Sequence, residues 1–172
     1  MSFPAIPTSP FDDQRPGTAG LRKTVARFST PHYLENFVQS VFDCWAKLRG
    51  GTLVIGGDGR YWNREAIDVV LRMAVANGVQ KCVVGKDGLL STPAASQLIP
   101  TVDAAGGFIL SASHNPGGPD GDFGIKFNVD NGGQASETLT EAIYARSRVI
   151  DRYFITPDAA PVDIARTGGQ SF

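Results

Sequence analysis

Ser113 and His114 stand where an apolar run meets a loop. Residues 110–128 read LSASHNPGGPDGDFGIKFN: four glycines and two aspartates intervene before the chain turns apolar again at Ile125. Adjacent side chains on an extended backbone point to opposite faces, so His114 is badly placed to act as base for its neighbour. The Gly-x-Ser-x-Gly elbow of a hydrolase nucleophile is not there either. The remaining chemistry is a serine that carries a group. A phosphorylated serine brings nearly two negative charges and three acceptor oxygens. It needs backbone N–H donors and cations, and glycine lets backbone approach a phosphate closely. His114, Lys126, Arg22 and Arg60 are the cations that strand ends could bring there. Asp120 and Asp122, with one glycine between them, read as loop-shaping hydrogen-bond acceptors rather than a metal pair.

The flanking elements follow from periodicity. Residues 1–16 are proline-broken and polar and read as an extended arm. GTAGLRKTVARF reads as a loop entering a strand. Thr30 as cap and Pro31 at the first helical position predict a helix carrying Leu34, Phe37, Val38, Val41, Trp45 and Leu48. TLVIGGDGR is a buried strand that breaks into a glycine turn. Asn63 predicts the cap of a second helix, which stops at Asn77-Gly78. KCVVG is a second buried strand, and Thr92-Pro93 starts a third helix running to about Asp103. GGFILSAS and GIKFNVD are the third and fourth strands. A long helix is predicted from Ser136 through Phe154, then an open tail over 156–172.

Strands that are continuous apolar runs and alternate with helices predict an α/β fold: a mixed, largely parallel sheet with helices on both faces, three layers in all. The fourth strand follows the third without a helix, so antiparallel pairing is expected there. Ligands of such sheets bind beyond the carboxyl ends of the strands. The glycine turns at Gly56–Gly59 and Gly117–Gly124, and Ser113 itself, lie at such ends.

Composition narrows the function classes. A net charge of −1 offers no global positive field for nucleic acid. Cys44 and Cys82 lie in apolar segments and read as buried free thiols of a reducing compartment. No run approaches the roughly 18 apolar residues of a membrane helix, and the first residues lack a signal-peptide pattern. A cytoplasmic protein with no membrane or nucleic-acid partner is expected. A nucleotide-binding reading of GGDGRYWN fails because the third glycine of that fingerprint is missing.

Four ordered stretches carry a family resemblance. SASHNPGGPDGDFGIKFN resembles the active-site serine loop of the α-D-phosphohexomutases, most closely in its phosphoglucomutase form. PGTAGLRK at 16–23 resembles that family's Gly-Thr-Ser-Gly-Leu-Arg-Lys segment. VIGGDGRYWNREAI and GLLSTPAAS resemble two further stretches of its first domain. The resemblance implies a phosphoserine at Ser113 that hands its phosphate to a hexose phosphate and takes the other phosphate back from a bisphosphate intermediate. It implies Lys126 as a substrate contact and proton-transfer group, and Arg22, Thr18 and Arg60 as substrate-binding residues. His114 is implied at the site, and magnesium on the Ser113 phosphate, with its other ligands in a further domain. Glucose 1,6-bisphosphate is the implied activator and interconversion of glucose 1-phosphate and glucose 6-phosphate the implied reaction. Residues 17–155 correspond to the first domain, with the phosphoserine loop at 111–124. Ala19 and Ser111 depart from the family's usual serine and threonine, and neither touches the assigned roles. The family's Asp-x-Asp-x-Asp-Arg metal loop does not occur in this sequence. The expected partners are therefore a hexose phosphate and the remaining mutase domains, and the chain alone is expected to be inactive. The alternative is a non-catalytic phosphoprotein or interaction module on the same fold.

Overall fold

The computed structural model describes residues 3–17, 19–156 and 162–171. The apolar runs become strands β3 (Thr52–Gly57), β4 (Lys81–Leu89) and β5 (Gly106–Leu110). They are joined by helices α3 (Asn63–Ala76) and α4 (Thr92–Thr101), which makes the three strands parallel. After β5 the chain returns through a loop without a helix. Strand β6 (Asp122–Val129) accordingly pairs antiparallel with β5. Strand β2 (Leu21–Thr24) closes the far edge, antiparallel to β6, for an order β2-β6-β5-β3-β4. The mixed sheet is thus as expected.

Strand alternation assigns the two faces. Leu21, Leu53, Ile55, Phe108, Leu110, Phe123, Ile125 and Phe127 belong to the main core. They pack with residues of α1 (Val25–Phe28), α2 (Tyr33–Cys44) and α3. Phe28 meets Tyr33 and Phe123 edge-on, and Trp62 meets Phe123 likewise, an arrangement that aromatic quadrupoles favour. On the other face, Val54 packs with Ile99 and Ala104 beside α4. The register places Arg22 opposite Gly124 and Lys126 opposite Ile109. These positions share the face of Val54, not that of the main core.

Three expectations about boundaries shift, each for a local reason. α2 starts at Tyr33, not after Thr30. The Thr30 hydroxyl donates back to the Ala26 carbonyl (3.3 Å), so it caps the end of α1 and is not free to start α2. Asn63 is the first residue of α3 and not its cap. Its side-chain amide donates to the Gly88 carbonyl (3.3 Å) and ties the helix to β4. Ser91, one residue before the expected threonine, caps α4 by accepting from the Ala94 N–H.

The last helix is shorter than predicted. α5 spans Glu137–Ser147, capped by Ser136. Tyr153 and Phe154 lie instead in β7 (Arg152–Phe154), which pairs antiparallel with β1 (Ala5–Pro7) in the N-terminal arm. The spacing of Ile150 and Tyr153 mimicked a helix because both are buried anchors. His32 is half-buried with Nδ1 2.9 Å from the Tyr153 hydroxyl. The arm is tied down further by Asp13 on Arg27 (2.9 Å), and the Arg27 hydrogen bond holds the Asp13 carboxyl below its usual range. In the tail, Ile164 is buried and its carbonyl accepts from the Asp87 N–H (2.8 Å).

Candidate functional site

The carboxyl ends of β3 and β5 bring the two glycine turns together. The Asp58 N–H donates to the Leu110 carbonyl (3.0 Å), which joins the GGDGR turn to the strand leading into Ser113. The Ser111 N–H donates to the Gly124 carbonyl (2.8 Å), which ties the same strand to β6. Gly124 is required for that approach. A Cβ there would lie 2.3 Å from the Ser111 carbonyl oxygen and 3.1 Å from the Ala112 Cα. Gly124→Ala should cost about 2–3 kcal/mol and lower the melting temperature by about 5–10 °C. A thermal melt by circular dichroism checks this; an unchanged midpoint contradicts it.

Ser113 is exposed and has φ 59°, in the left-handed region. For a non-glycine residue this costs on the order of 1 kcal/mol, and such strain persists only where the surroundings enforce it. Here they do. The Ser113 N–H donates to Ser111 Oγ (3.1 Å), and the Ser113 carbonyl accepts from Arg60 Nη2 (3.1 Å). Ser111 therefore has a role that reading the sequence missed: its hydroxyl orients the Ser113 backbone, and threonine would supply the same oxygen. Beyond Ser113, the Asn115 side-chain amide donates to the Asp122 carboxylate (2.8 Å), and the Asp122 N–H donates to the Pro116 carbonyl (2.8 Å). Asp122 thus shapes the loop, as its spacing suggested. His114 is exposed next to Ser113.

Lys126 and Arg22 are half-buried beside this loop. Burial pushes the Lys126 amine below the usual lysine value, the Arg22 charge adds to the effect, and Asp58 opposes it. Arg22 Nε is buried and without a hydrogen-bond partner among the described residues. A buried donor left open in this way suits an incoming anionic oxygen. Arg60 is placed differently. Its side chain is 9% exposed, with Nε on the Asp58 carboxylate (3.0 Å) and Nη1 on the Asp122 carbonyl (2.7 Å). Thr18 lies outside the described residues. Cys44 and Cys82 are free thiols, and burial pushes both up, Cys82 to about 12. Among the described residues, no three His, Cys, Asp or Glu side chains converge to hold a metal ion.

The chain is similar to known proteins in sequence and fold. Residues 13–154 fit the family model for phosphoglucomutase/phosphomannomutase, alpha/beta/alpha domain I. A phosphoglucomutase of Rhizobium radiobacter is 58% identical over 95% of this chain. The cytoplasmic phosphoglucomutase of Pisum sativum is 53% identical over 97%. The crystal structure of Paramecium pp63/parafusin, an exocytosis-sensitive phosphoprotein and phosphoglucomutase in its open form, superposes with a TM-score of 0.94. It is 43% identical over 97% of this chain and is matched along 31% of its own length. This chain likewise spans 30% of the length of the Rhizobium and pea relatives. It belongs to the phosphoglucomutase/phosphomannomutase family and corresponds to that family's α/β/α domain I.

Proposed function

We propose that this chain is the phosphoserine-bearing first domain of a phosphoglucomutase, which interconverts glucose 1-phosphate and glucose 6-phosphate. The observation that carries the reading is the pairing of two features. One is an exposed Ser113 held in a left-handed conformation at a strand end. The other is the open, buried Arg22 Nε beside a lysine whose amine is shifted toward neutrality.

In this reading Ser113 Oγ carries the phosphoryl group. The 6-hydroxyl of glucose 1-phosphate attacks it, the bond to Oγ breaks, and glucose 1,6-bisphosphate forms. Lys126 Nζ accepts the proton of the attacking hydroxyl. The sugar then reorients. The freed Ser113 Oγ takes the phosphoryl group from the 1-position, the bond from phosphorus to O1 breaks, Lys126 returns its proton to O1, and glucose 6-phosphate leaves. Arg22 donates to phosphoryl oxygens, His114 is exposed next to Ser113, and Thr18 keeps the substrate-binding role that the family motif implies. Glucose 1,6-bisphosphate acts as activator because it restores the phosphate of Ser113. Magnesium, when bound, offsets charge on the transferred group. This chain would hold it only through the Ser113 phosphate, since its described residues converge on no metal cage.

The other ligands of the metal, sugar recognition and the distal phosphate contact are assigned to further mutase domains, which are this chain's partners. A cytoplasmic location is in keeping with the pea relative's name. Among the described residues, no helix is long and apolar enough to cross a membrane.

A graft tests the reading. This chain replaces the corresponding first domain of the Rhizobium radiobacter enzyme, from which it differs least among the relatives named above. The graft should interconvert the two glucose phosphates, and the 172-residue chain alone should not. A soluble, folded graft that is inactive would contradict the proposal, and so would robust turnover by the chain alone.

A further inference from the structure

Arg60 is the one assigned substrate contact whose surroundings suit a different task. Its guanidinium is spent inside the protein. Nε faces both oxygens of Asp58 (3.1 and 3.0 Å), Nη1 donates to the Asp122 carbonyl (2.7 Å), and Nη2 donates to the Ser113 carbonyl (3.1 Å). Ser113 begins the exposed part of the loop and Asp122 begins β6. One planar group therefore staples the outgoing limb of the loop to the returning limb. Its side chain is only 9% exposed, a poor geometry for receiving a substrate.

The Ser113 carbonyl is also the group that a left-handed residue displaces. Rotating Ser113 to an ordinary φ would swing that carbonyl away from Nη2. The hydrogen bond from Arg60 thus favours the strained conformation over the relaxed one, and its charge makes the bond stronger than a neutral one. Asp58 fixes the fork from behind, and its own N–H is anchored on the Leu110 carbonyl (3.0 Å). The chain of contacts runs from the rigid end of β3, through Asp58 and Arg60, to both limbs of the loop.

We propose that Asp58 and Arg60 act as a positioning pair, which holds Ser113 in the left-handed conformation that presents its hydroxyl and phosphate, and that Arg60 does not bind substrate. The kinetic arm of this inference rests on the phosphoglucomutase reading; the structural arm does not.

Arg60→Lys keeps the charge but loses the planar fork that spans the two carbonyls and the carboxylate. Asp58→Asn keeps the shape and loses the charge that orients the fork. Amide hydrogen exchange of residues 113–122 in the 172-residue chain is the first readout. Both variants should speed exchange there at least about tenfold, with exchange in β3 and α3 unchanged. Unchanged exchange in the loop overturns the proposal, whatever the activity. In the graft, kcat should fall by roughly 10–100-fold while KM for glucose 1-phosphate stays within about twofold. A KM that rises with kcat kept would instead make Arg60 a substrate contact and overturn the proposal. If the graft carrying the natural Arg60 is itself inactive, the mutase reading fails, and the exchange result alone decides the positioning pair.

Discussion

Ser113→Ala should abolish interconversion of glucose 1-phosphate and glucose 6-phosphate in the graft, by at least about 10⁴-fold, because the proposed mechanism gives the phosphoryl group to Ser113 Oγ alone. The fold survives the change. Ser113 is exposed, its backbone is held by Ser111 and Arg60 through groups that alanine retains, and its hydroxyl is not part of the core. Alanine is strained at φ 59° as serine is, so the melting temperature should move little. Ser113→Thr retains a hydroxyl but adds a branched Cβ in the left-handed region, where crowding is worst, and it should fall well short of the serine enzyme. A coupled assay that detects glucose 6-phosphate reads all three forms. Undiminished turnover by the alanine variant would remove Ser113 from the mechanism.

Lys126→Met should lower kcat by roughly 10²–10⁴-fold, the usual contribution of a positioned proton-transfer group. Lys126→Arg separates the two roles of the lysine. Arginine keeps a positive charge for phosphoryl oxygens but does not give up its proton. If Lys126 moves a proton, the arginine variant is nearly as poor as the methionine variant. If it acts only as a charge, arginine restores most of the rate. The pH profile supplies the check. Burial and Arg22 hold the Lys126 amine below its usual value, so the neutral amine gains population below the usual lysine range. The acid limb of kcat/KM should follow that titration and vanish in Lys126→Arg.

Stability moves the other way. Folding disfavours the charged form of Lys126. That penalty is fully present at acid and neutral pH, and it fades as pH rises from the depressed folded value toward the unfolded value of 10.5. Lys126→Met removes it, so the variant should melt no lower than the natural chain at neutral pH while losing activity. A lower midpoint would show that Lys126 helps to hold the fold.

The parts of the fold legible in the sequence were those fixed by burial alone. β3 and β5 are buried along their apolar runs. The antiparallel return of β6 followed from the short connection after β5. What the sequence hid depended on partners far along the chain. β7 looked like the end of a helix because its buried residues fall at helical spacing, and only β1, some 150 residues earlier, makes it a strand. Thr30 was misread for a nearer reason: its hydroxyl is bonded four residues back, to the Ala26 carbonyl.

The site divides in the same way. Ser113 stood out by its own neighbours, Lys126 and Arg22 by the motifs around them. The task of Arg60 is invisible in GGDGR, since two of its three partners are backbone carbonyls 53 and 62 residues away. Ser111 was passed over as a small departure from a pattern, although the oxygen it shares with threonine accepts the Ser113 N–H. The open Nε of Arg22 is likewise a property of packing, and no spacing rule would reveal it.

The most direct test of the central claim is phosphosite mapping by mass spectrometry on the graft after exposure to glucose 1,6-bisphosphate. The account predicts one phosphoryl group, on Ser113, which glucose 6-phosphate then removes. Turnover with Ser113 unmodified throughout would contradict it, and so would a Ser113 phosphate that no hexose phosphate discharges.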